Sequence, residues 1–282
     1  MVFIAEPVGS CTDLVATVTY PLRRIYGDDF SIAPLSVLVD PIRASRIFGL
    51  SDGGNFSEKV IYIYRKQLEE ADLIVINKTD LLELEALAAL RDKLAKEFPN
   101  AEVLQISARN NEGMDNWFAK ITDTEQIART VMEVDYEIYA EGEALLGWLN
   151  ATVQLNGADG FEAKPLLQQL AGDIQNQLNK ESAEIAHLKM TLSPDEGLGG
   201  EVAIINLVRN DFVPELSADL DEPIEDGQLI INPRAEGDPE ALRAAVETAI
   251  ANAPAGLTTT LEHFEHFRPG KPEPTHRMTD LV

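Results

Sequence analysis

The sequence predicts an α/β fold, in which a doubly wound parallel sheet is followed by a smaller α+β domain. In the first half, short apolar runs rich in Val and Ile alternate with segments whose apolar residues recur at helical spacing. Such runs are typical of strands buried on both faces of a parallel sheet. After residue 130 the pattern changes to alternating strands and two amphipathic helices, which is typical of a second, α+β domain.

The first domain is predicted over residues 1–130. Four apolar runs are assigned to strands, namely Val2–Ala5, Leu35–Val39, Leu73–Ile76 and Val103–Ile106. Apolar residues at spacings of three and four predict helices over Ser57–Ala71 and Leu81–Phe98. Strand, helix and strand in this order form right-handed βαβ units, which build a partial doubly wound sheet.

The second domain is predicted over residues 131–282. It opens with a strand at Val131–Tyr139 and a short helix at Glu141–Trp148. Helices at Lys164–Lys180 and Pro239–Ala251 are then accompanied by strands at Ile185–Leu192, Val202–Val208, Gln228–Ile231 and Leu257–Phe264. Two helices on one face of such strands indicate an α+β sandwich, with a ferredoxin-like arrangement as one form of it.

Composition restricts the classes of partner. The chain has 48 acidic and 23 basic residues and a formal net charge of -25, so nucleic acid and anionic membrane surfaces are not expected to bind it. It has one cysteine, which suits a reducing compartment. It has no long apolar stretch and no basic, apolar start of the kind that signal peptides have, and a cytoplasmic location is the expectation.

The strongest functional motif is Asn77-Lys78-Thr79-Asp80, directly after a predicted buried strand. The carboxylate of Asp80 can accept both the N1–H and the N2 amine of guanine, a donor pair that adenine lacks. The amide of Asn77 can bond the base, and the alkyl chain of Lys78 can lie against its ring. In open α/β sheets ligands bind at the carboxyl ends of strands, where this motif lies. The alternative interpretation is an ordinary polar turn.

Two further motifs agree with a nucleotide site. Ser107 and Ala108 follow the next predicted strand, where a backbone N–H can donate to the guanine O6. Glu6 and Gly9 follow the first apolar run, where a carboxylate can orient water and a glycine lets the backbone approach a γ-phosphate. They are the candidate catalytic residues, although a solvated glutamate in a turn has the same sequence pattern.

The chain resembles the CobW-like metallochaperone GTPases, which are relatives of HypB and UreG. The resemblance covers roughly residues 1–130. It rests on Glu6-Pro7-Val8-Gly9-Ser10-Cys11-Thr12-Asp13, on Val39-Asp40, and on Gln67-Leu68-Glu69-Glu70-Ala71-Asp72 leading into Asn77-Lys78-Thr79-Asp80. It implies a P-loop-NTPase-like domain that uses GTP or GDP with Mg²⁺.

The resemblance also implies delivery of a metal such as Zn²⁺ or Co²⁺ to a client metalloprotein, with a homodimer as a further expectation. Cys11 is the candidate metal ligand, and a buried small residue is the alternative role for this thiol.

Two family motifs are absent from the sequence, which contains neither Gly-x-x-x-x-Gly-Lys-[Ser/Thr] nor Cys-x-Cys-Cys. The first of these supplies the phosphate cradle and the hydroxyl that holds magnesium. We therefore expect a chain truncated at its N-terminus, with both motifs upstream of residue 1. The alternative is a degenerate, non-hydrolysing binding or scaffold protein of the same fold.

Overall fold

The computed structural model describes residues 3–5, 7, 11–126, 131–195 and 200–279. The chain divides into two compact units. The first is Met1–Gly142 together with Lys271–Val282, and the second is Glu143–Gly270.

The first unit is built from short parallel strands connected by helices. In chain order, after a π-helical turn at Val15–Thr19, these elements are α1 (Tyr20–Tyr26), β1 (Ser36–Val39), α2 (Pro41–Ile47), α3 (Glu58–Glu69), β2 (Leu73–Ile76), α4 (Leu84–Glu97), β3 (Glu102–Gln105) and α5 (Met114–Asp123). A ten-residue helix, α6 (Tyr136–Leu145), follows them.

The strands form a parallel sheet in the order β1-β2-β3, with helices on both faces. Ile74 and Ile76 pack on one face with residues of α2, α3 and α4. Leu73 and Val75, which alternate with them along β2, pack on the other face, where α5 contributes Met114, Trp117 and Ile121. All four residues of β2 are buried, as its continuous apolar run predicts. The predicted doubly wound α/β architecture is confirmed.

The predicted first strand at Val2–Ala5 is not observed over residues 3–5, which form no regular structure. Phe3 and Ile4 are 70% and 93% exposed. A strand needs a hydrogen-bonded neighbour as well as apolar side chains, and within the described residues β1 pairs only with β2. Apolar composition alone was therefore insufficient for this prediction.

The second unit is an antiparallel sheet with two helices. Its elements are β4 (Leu146–Phe161), α7 (Ala163–Lys180), β5 (Glu184–Pro194), β6 (Ala203–Leu207), β7 (Glu215–Ala218), β8 (Ile224–Glu236), α8 (Pro239–Ala251) and β9 (Leu257–Phe267). The strand order is β7-β6-β5-β8-β4-β9. Apolar side chains of the sheet and of both helices form one buried cluster, so α7 and α8 cover one face.

Within this sheet, β5-β8-β4-β9 has the strand order of a ferredoxin-like fold, because the chain runs β4-α7-β5, then β8-α8-β9. Strands β6 and β7 are an insertion between β5 and β8 that extends the sheet beyond β5. The predicted α+β domain is confirmed, with this addition.

The segment from residue 131 to 148 differs from its prediction. In place of a strand at Val131–Tyr139 and a helix at Glu141–Trp148, helix α6 spans Tyr136–Leu145 and β4 begins at Leu146. The carboxylate of Asp135 accepts from the backbone N–H groups of Glu137 and Ile138 at 2.9 and 3.1 Å, which caps the helix. The alternation of apolar and acidic residues concealed this cap.

Each helix that the structure describes is too short or too polar to span a lipid bilayer.

Candidate functional site

The carboxyl ends of the three parallel strands bring the predicted nucleotide-binding residues together. Val39 and Ile76 are register partners, as are Ile76 and Gln105. Asn77 then donates its backbone N–H to the carbonyl of Val39 at 3.2 Å. The polar residues that follow β1, β2 and β3 therefore lie along one edge of the sheet, as expected for a ligand site in an open α/β fold.

The side chain of Asn77 connects two of these loops. Its Oδ1 accepts from the backbone N–H of Lys78 at 2.7 Å and from that of Ala108 at 3.1 Å. Because both neighbours are donors, the atom facing them must be the oxygen, and the NH₂ group points the other way. The N–H of Ala108, which we expected to meet a guanine O6, is engaged by Asn77 in this structure.

Lys78 adopts a left-handed backbone conformation, with φ 56° and ψ 41°. This region disfavours most residues with a Cβ, and it needs support from the surrounding structure. Asn77 supplies part of that support, and Thr79 adds a hydrogen bond from its N–H to the carbonyl of Ile106 at 3.2 Å. The ammonium of Lys78 lies 3.6 Å from Oδ2 of Asp40, at the end of β1.

Asp80 and Ser107 form the side-chain pair that joins the two motifs. The hydroxyl of the buried Ser107 donates to Oδ1 of Asp80 at 2.6 Å. The same hydroxyl oxygen accepts from the N–H of Asn110 at 3.3 Å, which fixes its rotamer. Asp80 itself is exposed. Its carboxylate is thus held by one oxygen at the rim of the sheet, in an orientation set by the next loop.

Residues 6–105 match the family model for the CobW/HypB/UreG nucleotide-binding domain. Over these residues the chain is similar to the CobW/HypB/UreG family. The match ends at Gln105, the last residue of β3, so Ser107 and Ala108 of the CobW-like site lie just beyond it. No curated protein sequence matches the chain.

Solved structures that are similar to this chain include two of a GTPase and one of a helicase. A zinc-bound triple mutant of the YjiA GTPase is 13% identical with a TM-score of 0.29. The alignment covers 83% of this chain and 67% of the YjiA chain. Zn(II)-bound YjiA GTPase from E. coli gives the same identity and coverages with a TM-score of 0.25. A Pif1 helicase double mutant from Bacteroides is 10% identical, with a TM-score of 0.19 and coverages of 80% and 76%.

A tight turn shapes the Ser107 loop of the CobW-like domain. Ser107 and Glu112 exchange two backbone hydrogen bonds of 3.0 Å. Gly113 then starts α5 with φ +71°, and a Cβ there would lie 2.3 Å from the carbonyl oxygen of Gln105. Only glycine fits this close approach to β3.

We expect Gly113→Ala to lower the free energy of unfolding of the first unit by about 2 kcal/mol, from left-handed strain and from overlap with Gln105. Gly49→Ala is the matched control, because Gly49 also has φ +71° but no atom within 4 Å of the added Cβ. That control should cost only about 1 kcal/mol. Equal losses of stability in urea denaturation would contradict the steric part of this prediction.

Asp13 is the centre of a second polar cluster in the first unit. Its side chain is 1% exposed, and its Oδ2 accepts from the hydroxyl of Tyr136 at 2.6 Å and from Nε of Arg277 at 2.7 Å. The neighbouring Met278 donates its backbone N–H to the carbonyl of Ala16 at 2.9 Å. The C-terminal segment is therefore attached to the region that follows the candidate catalytic loop.

Glu70 lies beside Asp13 and is 3% exposed. It accepts from the N–H of Val15 at 3.3 Å and from the hydroxyl of Thr12 at 3.4 Å. Burial raises the pKa of Glu70 to about 7, and the charge of Asp13 adds to the rise. Asp13 and Glu70 also line a cavity of about 150 Å³.

Three further predicted site residues are Glu6, Gly9 and Cys11. Glu6 and Gly9 lie outside the described residues. Cys11 is half-buried, and its carbonyl accepts from the side chain of Gln67 at 2.9 Å. Among the residues that the structure describes, no three His, Cys, Asp or Glu side chains are grouped so that they could hold a metal ion.

Three residues that sequence reasoning gave no role are prominent in the structure. Asp40 follows β1 just as Asn77 follows β2, and this equivalent position could have identified Asp40 as a candidate site residue. Asp13 and Arg277 are 264 residues apart, and no local pattern could have paired them.

Proposed function

We propose that the first unit binds a guanine nucleotide through its base, at the carboxyl edge of the β1-β2-β3 sheet. The observation that carries this proposal is the orientation of the exposed Asp80 carboxylate by the buried hydroxyl of Ser107 at 2.6 Å. A carboxylate held in this way can accept the N1–H and N2 amine of guanine together. Because its rotation is already restricted, binding costs little further side-chain entropy. The family match to a nucleotide-binding domain supports the same proposal.

Each neighbouring residue then has a defined role. The NH₂ group of Asn77, which points away from Lys78 and Ala108, can donate to the base. The alkyl chain of Lys78 can cover one ring face. Ala108 has only a methyl group, and its exposed position leaves room for the base edge.

The wider function that we propose is that of a CobW-type metal chaperone, in which GTP hydrolysis with Mg²⁺ is coupled to delivery of Zn²⁺ or Co²⁺ to a client metalloprotein in the cytoplasm. The support for it is the family of residues 6–105 and the order of the Glu-x-x-Gly and Asn-Lys-x-Asp elements. The described residues offer no group of metal ligands, and the sequence has no phosphate-binding loop motif. We therefore assign no hydrolytic step to this chain.

The base-recognition proposal is tested with nucleosides, which lack phosphates. Guanosine should bind more tightly than adenosine in a ligand-observed NMR titration. Asp80→Asn should weaken guanosine binding about tenfold and favour xanthosine, because an amide can donate to the 2-oxo group of xanthine. Asp92→Asn is the control, since Asp92 is an exposed aspartate on α4. An unchanged base preference in Asp80→Asn would remove Asp80 from the site.

The alternative function is a non-hydrolysing nucleotide-binding or scaffold protein of the same fold. It is favoured by the absence of the phosphate-binding motif from the sequence. Titration with GDP, with and without Mg²⁺, distinguishes the two. Weak binding that does not depend on Mg²⁺ supports the scaffold for this chain, whereas tight and Mg²⁺-dependent binding supports the GTPase.

A further inference from the structure

A second acidic side chain, Asp40, lies at the edge of the sheet that carries the guanine-recognition motif. It follows β1 directly, and Asn77 follows β2 in the same register, with the N–H of Asn77 bonded to the carbonyl of Val39. Asp40 is thus one strand away from the motif and at the same height in the sheet.

The two oxygens of Asp40 have different contacts. Oδ1 accepts from the backbone N–H of Arg43 at 3.0 Å and so caps the N-terminus of α2. Oδ2 lies 3.6 Å from the ammonium of Lys78. Because the cap fixes one oxygen, the other is held in place, and Lys78 meets an anion whose position is already determined.

Lys78 is restrained at both ends. Its left-handed backbone is held by the side chain of Asn77 at 2.7 Å, and its ammonium is placed by Asp40. The four-carbon chain between these points loses most of its rotamer freedom before any ligand arrives. The side chains of Asp40 and Lys78 are 14% and 29% exposed, so solvent screens their attraction less than it screens an open surface pair.

The charges around Asp40 favour this arrangement. Arg43 is buried beneath the ring of Phe56, with its guanidinium carbon 4.2 Å from the ring centroid. Burial raises the pKa of the Tyr64 phenol, and the nearby carboxylate of Asp40 adds to the rise. The carboxylate of Asp40 therefore lies between the backbone N–H of Arg43, on one oxygen, and the ammonium of Lys78, near the other.

We propose that Asp40 is a positioning residue for the guanine site. By holding the ammonium of Lys78, it lays the alkyl chain of that lysine along the face that the base occupies. This inference rests on the proposed function, since it requires that a base binds beside Lys78. It adds the residue that follows β1 to a site otherwise built from the loops after β2 and β3.

The test is a double-mutant cycle read by guanosine affinity. Asp40→Asn keeps a side chain that caps helices well but removes the charge that holds Lys78. Lys78→Met keeps most of the alkyl chain but removes the ammonium. Each single variant should weaken guanosine binding roughly three- to fivefold, and the double variant should bind no more weakly than the weaker single one. Thermal unfolding is recorded for every variant.

The outcomes separate the two proposals. If the wild-type chain does not bind guanosine, the proposed function and this inference both fail. If the wild type binds and Asp40→Asn binds equally well, only the role of Asp40 is overturned. Additive losses in the double variant also overturn it, because they would show that Asp40 acts independently of Lys78. A purely structural cap predicts a lower unfolding temperature in Asp40→Ala but no coupling between Asp40 and Lys78.

Discussion

Arg277→Met is expected to lower the free energy of unfolding of the first unit by about 3 to 5 kcal/mol. The guanidinium of Arg277 lies 2.7 Å from the carboxylate of Asp13, which is 1% exposed. Without the arginine, this anion would remain buried with the hydroxyl of Tyr136 as its remaining side-chain donor in the cluster. Burying a charge without an opposite charge is among the most destabilising single changes.

Unfolding of the first unit can be followed separately from the second. The chain has two tryptophans, Trp117 in α5 and Trp148 in β4. In a Trp148→Phe background, the fluorescence of Trp117 reports on the first unit alone during urea denaturation.

Two control variants test the cause of this loss. Lys271→Met removes an exposed cation from the same C-terminal segment and should change stability by less than about 0.5 kcal/mol. Adding Asp13→Asn to Arg277→Met removes the stranded charge, and asparagine tolerates the left-handed φ of 64° at this position. The double variant should recover part of the loss. A double variant that is less stable than Arg277→Met would contradict the explanation by an uncompensated charge.

Glu70→Gln is expected to stabilise the first unit at pH 8 and to have little effect at pH 4. In the unfolded chain this carboxyl ionises near the ordinary pKa of 4.5, whereas burial raises its pKa in the folded unit to about 7. Below pH 4.5 the proton is bound in both states. As pH rises from 4.5 to 7, only the folded state keeps it, so the stability that this group contributes is lost progressively.

The loss is complete above the folded pKa and is on the order of 3 kcal/mol. Glutamine cannot ionise, so the difference between variant and wild type should grow over this pH range and then level off. The measurement is the free energy of unfolding at several pH values, again followed by Trp117. Glu69→Gln is the control, because that carboxylate is 49% exposed and pairs with Lys66. Parallel pH profiles for wild type and Glu70→Gln would contradict the raised pKa.

The parts of the fold that depend on local patterns were predictable from the sequence. The run Leu73–Ile76 is buried on both faces, and periodic leucines such as Leu87, Leu90 and Leu94 form the buried side of α4. The loops that carry Asn77, Asp80 and Ser107 meet in the structure, because parallel strands bring their carboxyl ends to one edge of the sheet. Here short-range pattern and tertiary packing agree.

The errors occur where a distant neighbour or a single cap decides the structure. Phe3 and Ile4 have strand-like composition, but no strand among the described residues lies beside them. Asp135 starts a helix in a segment whose alternation favoured a strand. Helix α5 received no prediction, although Met114, Trp117 and Ile121 share its packed face. The Asp13 cluster joins residues from the two ends of the chain, which no window of sequence can connect.

The return of the C-terminal segment to Asp13 also makes the second unit an insertion within the first. Residues 143–270 interrupt a chain that resumes its own fold at Lys271. The ends of this insertion are already joined within it, because Trp148 pairs with Phe267 across β4 and β9, and Arg268 donates to the carbonyl of Ala144. Once folded, the insertion therefore acts as a short tether, and the entropy of closing such a long loop no longer opposes the docking of Arg277. The order of folding that this favours is insertion first and C-terminal attachment last.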